Sequence, residues 1–151
     1  MSKVNFTENE LALIRKVEQI YARKLRTHTV NSVEMAKRYC QAKIAHKEHE
    51  VFALLLVDSQ HQVIEFKEVS IGTIDAAAVY PREVVKAVLL TNSTACILCH
   101  NHPSAVNVPS EADKRITRQL SEALALIDVK ILDHFIVSPS GIYSFAEHGL
   151  L

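Results

Sequence analysis

The chain of 151 residues has the length of one domain that can bury its own core without disulfides. Its 17 basic and 17 acidic residues cancel, which removes the positive surplus that nucleic-acid binding usually needs. No apolar run is long enough to cross a bilayer and the first residues lack a secretory signal, so we expect no membrane partner. The odd count of three cysteines favours a reducing, cytoplasmic setting.

Two helices are predicted at the start of the chain. Residues 8–26 place apolar side chains at helical spacing. Asn31 and Glu34 have the spacing of a capping box, which predicts the start of a second helix that reaches residue 45. We assign residues 1–47 to an N-terminal helical extension whose apolar faces pack either on the rest of the chain or on a second copy.

Strand patterns begin after these helices. Residues 51–57 are continuously apolar, which predicts a strand that is covered on both faces. Residues 62–69 form the predicted returning strand of a hairpin. Pro81 suits the first turn of a third helix that continues to Leu90.

The second half of the chain alternates between strands and a helix. Residues 94–100 predict a short apolar strand, and a polar loop separates it from an amphipathic helix over residues 111–127. Residues 129–137 predict another strand, and residues 142–145 close a final hairpin. This order predicts an α/β domain over residues 48–151, with a mixed sheet flanked by helices.

Two histidines and one aspartate predict a zinc site. His100 and His102 lie two residues apart at a strand end, so both side chains project on the same face and can reach one ion at about 2.0–2.1 Å. Asp113 precedes Ile116 by three residues and Leu120 by seven, which places it on the buried stripe of its helix. A carboxylate that faces a core needs a partner, and Zn²⁺ would serve.

Asp113 also has a structural interpretation. Ser110, three residues earlier, has the spacing of a capping box with Asp113. We place metal ligation ahead of capping alone, and Ser110 can cap the helix in either case. Three protein ligands leave one tetrahedral position open, which is typical of a catalytic zinc rather than a structural one.

The same residues resemble a known pattern. The run His-Asn-His-Pro, followed by Ser110 and Asp113, resembles the JAMM metalloprotease motif of His-x-His-Pro, six residues, Ser, two residues and Asp. Together with Pro-Arg-Glu at 81–83 and Asp-His at 133–134, it is similar to the bacterial RadC family over about residues 48–151. The resemblance implies a JAMM-type fold, related in architecture to the cytidine deaminases, and a zinc metallopeptidase or isopeptidase activity.

The resemblance also implies catalytic roles. Its general base toward the zinc-bound water is a glutamate at the start of an early strand, a place that Glu50 fills and for which Glu48 is the competitor. Glu50 shares a strand face with Phe52, and partial desolvation there would raise its pKa and suit proton transfer. Ser110 is implied to hydrogen-bond the oxyanion or the water. Family members usually have glycine where this chain has Ala105.

Two further pairs have structural interpretations. Cys96 and Cys99 are three apart on a strand, so they point to opposite faces and are interpreted as buried packing residues rather than a metal pair. Asp133 and His134 are interpreted as a satisfied structural hydrogen bond in preference to a pair that orients the site.

Three functions are weighed. The leading hypothesis is a zinc hydrolase acting on a peptide or protein substrate. The second is a DNA-associated accessory protein of the RadC type; the basic residues at 23–26 and 114–118 fit solvated helix faces, and residues 1–47 lack the glycine-bearing helix-hairpin-helix of longer RadC proteins. The third is a non-catalytic zinc-containing binding domain, against which the retention of all three ligands counts.

Overall fold

A five-stranded sheet lies between helices in a computed structural model of the chain, which describes residues 5–27, 33–71 and 78–151. The mixed α/β sheet predicted from the sequence is therefore confirmed. In chain order, the elements are α1 (Glu8–Thr27), α2 (Val33–Ile44), β1 (Val51–Val57), β2 (Val63–Ile71), α3 (Pro81–Thr91), β3 (Ala95–Asn101), α4 (Glu111–Ala125), β4 (Lys130–Ser138) and β5 (Gly141–Ser144).

The sheet has the strand order β2-β1-β3-β4-β5. β3 and β4 are parallel, and the other neighbouring strands are antiparallel. A parallel pair needs a crossover connection, which α4 supplies between β3 and β4. The crossover brings the carboxyl end of β3 and the first turn of α4 to the same edge of the sheet, where α/β folds commonly place their ligands.

Both faces of the sheet are covered by helices. All seven residues of β1 are buried, which confirms the prediction from its continuous apolar run. On one face, α2 packs over a cluster that includes Leu55, Ile97 and Phe135. On the other face, α3 and α4 pack over a cluster that includes Leu54 and Leu98. The alternation of neighbouring residues between the two clusters follows from the two-residue period of a strand.

The N-terminal helices pack on the rest of the chain. α2 buries Tyr39, Cys40 and Ile44 against the sheet, and α1 packs mainly on α2. The division of the chain at residues 47 and 48 stays a prediction, and Asn31, the predicted cap of α2, lies outside the described residues. Among the described helices, none is both long enough and apolar enough to cross a bilayer.

The structure shifts some predicted ends by one or two residues. α4 ends at Ala125 rather than residue 127, because Asp128 adopts a left-handed conformation with φ of 57°. The Val129 N–H then donates to the carbonyl of Leu124 at 3.0 Å and closes the end of the helix. This turn reverses the chain so that β4 can run parallel to β3.

Candidate metal centre

β3 presents the two predicted histidines on the face covered by α3 and α4. His100 lies in the strand, and its ring stacks on Phe52 of β1 with 5.8 Å between ring centroids. His102 follows the strand, and its backbone N–H still donates to Val137 of β4 at 2.8 Å. Strand-like pairing therefore continues to His102, and the two Nε2 atoms lie 2.9 Å apart.

The first turn of α4 brings Asp113 to these rings. Asp113 Oδ1 lies 3.2 Å from His100 Nε2, and Asp113 Oδ2 lies 3.5 Å from His102 Nε2. One ligand atom from each of the three residues lies within 4.8 Å of the other two, so together they could hold a metal ion. Of the stripe expected beyond Asp113, Leu120 is fully buried and Ile116 is partly buried.

Asp113 is also part of the predicted capping box. Its Oδ2 accepts the backbone N–H of Ser110 at 2.7 Å, and its own N–H donates to Ser110 Oγ at 3.1 Å. Oδ2 therefore serves the cap and also faces His102, whereas Oδ1 faces His100 and takes no part in the cap. Ligation through Oδ1 is compatible with capping through Oδ2. The cap holds the carboxylate toward the two rings.

The outer nitrogen of each ring has its own partner. His102 Nδ1 lies 2.7 Å from the carbonyl oxygen of Val106, which can only accept, so Nδ1 carries the proton. The Nδ1 of His100 lies 2.9 Å from Nε2 of His134. Both rings are thus held from outside, and their Nε2 atoms face each other and Asp113.

The predicted structural hydrogen bond within the Asp133–His134 pair is present, because Asp133 Oδ1 accepts the backbone N–H of His134 at 2.7 Å. The ring of His134 nevertheless belongs to the site, which is the interpretation that the sequence placed second. The ring of His134 is buried between β4 and α4, and its Nδ1 lies 2.7 Å from Thr117 Oγ1. The Asp133 carboxylate does not contact this ring, and it also accepts the Ser144 hydroxyl at 2.6 Å and the Ala146 N–H at 3.0 Å. Neighbouring strand residues point to opposite faces, and that parity was the available signal.

Glu50, the predicted base, lies next to His102. The pairing of β1 with β3 ends with Phe52 opposite His100, and extending this register by two residues brings Glu50 beside His102. The side chain is half-buried, and its negative charge acts to raise the pKa of His102. Glu48, the competitor, is exposed.

Asn101, between the two histidines, holds the segment that carries Glu50. It is fully buried, and its Oδ1 accepts the N–H of Val51 at 2.7 Å. Its Nδ2 donates to the carbonyls of Lys47 and His49 at 3.2 and 3.0 Å. Asn101 points away from the histidines, so β3 positions two ligands with one face and the predicted base with the other. The sequence pattern does not predict this role.

Ser110 also lies at the site. Its Oγ accepts the N–H of Asp113, which leaves its own O–H proton available to donate elsewhere. The predicted bond from Ser110 to an oxyanion or water stays a prediction.

Burial and hydrogen bonding shift the pKa values of His100, His102 and Asp113. Burial lowers the pKa of His100 in spite of nearby Asp113. Burial also acts to lower the pKa of His102, but hydrogen bonds with Asp113 and Val106 outweigh it, so this pKa is raised. Burial opposes ionisation of Asp113, yet its contacts with both rings hold its pKa well below the usual range. His102 is therefore the ring on which a proton competes with a cation.

The loop after His102 contains Ala105, at the position where family members usually have glycine. Ala105 has φ of 65°, in the left-handed region that glycine adopts without strain. The N–H of Ala105 donates to the carbonyl of His102 at 3.2 Å, and its carbonyl accepts the Ser140 hydroxyl at 2.7 Å. These bonds hold the tight turn that brings Val106 back to the ring of His102.

The cysteines pack as predicted. Cys96 belongs to the cluster under α3 and α4, and Cys99 to the cluster under α2. Both are buried free thiols, and burial raises the pKa of Cys96 to about 12.

Comparisons with known proteins agree with this fold. A family model described as RadC-like JAB domain matches residues 30–150. A UPF0758 protein of Vibrio cholerae is 50% identical over 146 residues, which cover 97% of this chain and 92% of that protein. UPF0758 proteins of Tolumonas auensis and Methylibium petroleiphilum are 52% and 47% identical over 83% and 94% of this chain, which spans 56% and 65% of their lengths. The chain belongs to the RadC family.

Proposed function

We propose that the chain is a zinc-dependent hydrolase that cleaves an amide or isopeptide bond in a peptide or protein. The observation that carries this proposal is the convergence of His100 Nε2, His102 Nε2 and the Asp113 carboxylate within 4.8 Å of one another. Two ring nitrogens that face each other at 2.9 Å repel unless a proton or a cation lies between them. The geometry therefore favours a resident cation.

The donor set fits Zn²⁺. Two imidazole nitrogens and one carboxylate are ligands that catalytic zinc sites use, with one tetrahedral position open. Zinc–nitrogen bonds of about 2.0–2.1 Å put neighbouring ligand atoms of a tetrahedron about 3.3 Å apart. The separations of 2.9, 3.2 and 3.5 Å among the three residues bracket that value. Small side-chain movements would close the coordination sphere.

The open side of the centre lies toward His102 and Asp113. Their side chains are 14% and 16% exposed, whereas that of His100 is 5% exposed. A substrate carbonyl would therefore approach over His102 and Asp113, and Glu50 lies on the His102 side. When bound, Zn²⁺ supplies a Lewis acid that polarises the carbonyl and lowers the pKa of water.

The chain's own residues then carry the protons. Glu50 takes a proton from the attacking water as the new carbon–oxygen bond forms, and passes it to the leaving amine as the carbon–nitrogen bond breaks. The Ser110 hydroxyl donates to the carbonyl oxygen while negative charge develops there. Asn101 keeps Glu50 in reach through its bonds to the backbone at Lys47, His49 and Val51.

The two alternatives from the sequence have less support. Lys114 of the basic run on α4 pairs with Glu111 at 2.8 Å, as expected for a solvated helix face rather than a phosphate-binding surface. A non-catalytic zinc domain would need the ligands but not Glu50, so the glutamate distinguishes it from the hydrolase. We keep a reducing cytoplasm as the expected setting because all three cysteines are free thiols.

Metal analysis and a peptidase screen test the first part of the proposal. Purified chain loaded with Zn²⁺ and dialysed should hold one zinc per chain, and cleavage of a peptide and isopeptide library should stop with a chelator and return with added Zn²⁺. A chain that retains no zinc, or that cleaves equally well with the chelator, overturns the proposal.

Substitution of Glu50 tests the base. Glu50→Gln should keep stoichiometric zinc and lose at least about 100-fold in turnover, the usual range for general base catalysis. Glu48→Gln is the matched control, since it makes the same change two residues away on an exposed side chain. Normal turnover by Glu50→Gln refutes the base assignment. A zinc-loaded wild type that cleaves nothing but binds DNA with a steep salt dependence favours the accessory role.

A further inference from the structure

Thr117 of α4 has a single hydroxyl proton, and the structure shows where it goes. Thr117 Oγ1 lies 2.6 Å from the carbonyl oxygen of Asp113, one turn earlier in the helix. A carbonyl can only accept, so the hydroxyl proton points to it. The same Oγ1 lies 2.7 Å from His134 Nδ1 and must act there as an acceptor. His134 Nδ1 therefore carries a proton.

The proton on Nδ1 of His134 determines the state of Nε2 on the other side of the ring. The side chain is fully buried, with its ring between Phe52 and Phe145 and its nitrogens on Thr117 and His100. A second proton on this ring would bury an imidazolium among aromatic rings and a hydroxyl, which is costly. His134 Nε2 therefore carries no proton and accepts a hydrogen bond through its lone pair.

His100 is the last member of the chain. Its Nδ1 faces the accepting Nε2 of His134 at 2.9 Å, so His100 Nδ1 must donate. A neutral ring with its proton on Nδ1 has its lone pair on Nε2, the atom that faces Asp113 at 3.2 Å. The second ligand, His102, reaches the same tautomer through the carbonyl of Val106.

We propose that Thr117 and His134 are positioning residues that hold the metal ligand His100 in the tautomer with a free Nε2, through one directional hydrogen-bond chain that starts at the Asp113 carbonyl. This inference rests on the proposed metal centre and adds to it. Zinc-bound histidines commonly donate their second N–H to a carboxylate or a carbonyl, whose acceptor character is permanent. Here the acceptor is Nε2 of His134, which can accept because Thr117 holds the proton of that ring on Nδ1.

The chain couples two ligands that come from different elements. The Asp113 side chain belongs to the centre, its backbone carbonyl accepts from Thr117, and the chain returns through His134 to His100. The first turn of α4 and the end of β3 are thereby tied together behind the metal. A change at Thr117 touches no ligand side chain but frees the His134 ring to donate from Nε2, which would move the His100 proton to the metal-facing nitrogen.

Metal affinity measures the effect. Zn²⁺ affinity of the full chain, from competition with a chromophoric chelator, should fall about 10–100-fold in Thr117→Val, the usual range for loss of a ligand's hydrogen-bond partner. Thr117→Ser keeps the hydroxyl and should stay within about threefold of wild type. Thr91→Val is the matched control, because Thr91 of α3 makes the same bond to the carbonyl one turn earlier, at 2.9 Å, but contacts Ser93 instead of a histidine.

The proton positions give a second readout that a merely structural role would not move. Nitrogen-15 NMR of the zinc-free chain, at a pH where the rings are neutral, should show the proton on Nδ1 of both His100 and His134 in wild type. Thr117→Val should show His100 shifted toward the Nε2-protonated form. His134→Gln, which keeps an accepting oxygen near the place of Nε2, should bind zinc more tightly than His134→Phe.

The outcomes separate this inference from the proposed function. Wild-type affinity in Thr117→Val, or an equal loss in Thr117→Val, Thr117→Ser and Thr91→Val, overturns the positioning role while zinc binding by the wild type upholds the metal centre. Failure of the wild type to bind zinc overturns the metal centre, and the tautomers of the zinc-free chain still decide the hydrogen-bond chain. His100 protonated on Nε2 in wild type refutes it.

Discussion

The two faces of the sheet are built from the same strands and differ in chemistry. Under α2, the hydrophobic cluster includes Leu55, Ile97 and Phe135, and the buried polar side chains on this side, Asn101 and Asp133, make structural hydrogen bonds. Under α3 and α4, an equally apolar cluster gives way to His100 at the carboxyl end of β3 and to His134 of β4. Burial alone therefore does not distinguish a structural face from a functional one. The first two turns of α4 pack on this second face and supply Asp113 and Thr117 as partners for the two histidines.

Adjacent residues of β3 serve either the structural core or the metal centre. Cys99 packs under α2, His100 faces Asp113, and Asn101 turns back toward the segment before β1. A strand alternates its side chains, so a substitution on one face leaves the other face's contacts in place. Because the two faces are independent, we make three predictions. They concern Leu55 in the core under α2, the predicted metal ligand Asp113, and Ser110, which caps α4 and lies at the metal centre.

The largest effect is expected on the face under α2. Leu55 is fully buried, so Leu55→Ala should lower the free energy of unfolding by about 3–5 kcal/mol through lost burial and the cavity that remains. Urea unfolding with a chelator present measures this without a contribution from bound metal. Leu90→Ala, at a leucine that is 69% exposed, is the control and should change stability by less than about 0.5 kcal/mol. Loss of zinc from the folded Leu55→Ala protein would show that the faces are coupled.

A charge change at Asp113 should affect the metal more than the fold. Asp113→Asn keeps an oxygen that can accept the N–H of Ser110 but removes the negative charge, so zinc affinity should fall by more than about 100-fold, beyond the loss of a ligand's hydrogen-bond partner. Stability of the metal-free protein should change by no more than about 1 kcal/mol. Asp128→Asn, the same substitution at an exposed turn after α4, should leave zinc affinity unchanged. Full zinc binding by Asp113→Asn would remove Asp113 from the ligand set.

The smallest effect is expected at Ser110, where the two roles meet. Ser110→Ala removes the N-cap of α4 and should lower the free energy of unfolding by about 1 kcal/mol, while zinc stays bound because Ser110 is not a ligand. Thr7→Ala removes the corresponding capping box with Glu10 at the start of α1, far along the chain from the centre. Denaturant midpoints and zinc stoichiometry of both variants provide the measurement. The backbone N–H of Ser110, which bonds Asp113 Oδ2, is kept in this variant, so zinc loss in Ser110→Ala alone would show that the Ser110 hydroxyl is also needed to position the carboxylate.

Much of the fold follows from local patterns in the sequence. The apolar run of β1, the stripe of α4 and Pro81 at the first position of α3 each predict an element that the structure contains. These signals are strong because a strand buried on both faces is mostly apolar, and because proline fits best in the first turn of a helix. The spacing of His100, His102 and Asp113 is likewise visible in the sequence.

The supporting residues could not be predicted in the same way. His134 is a single histidine beside an aspartate, and Thr117 is one threonine in an amphipathic helix. Their contact depends on the crossover that lays α4 over β4, which no local period reports. Asn101 looked like a polar residue between two ligands, and its bonds to Lys47 and His49 span more than 50 residues.

The sequence by itself determined which side chains face inward, because the periods of 2 and 3.6 residues are properties of the backbone. It therefore determined the strands, the helices and the set of His100, His102 and Asp113. Tertiary structure alone decided that these three meet at one point, that Glu50 comes opposite His102, and that Thr117 and His134 stand behind His100. Contacts between elements depend on strand order and helix placement, which the whole chain sets through the packing of its core.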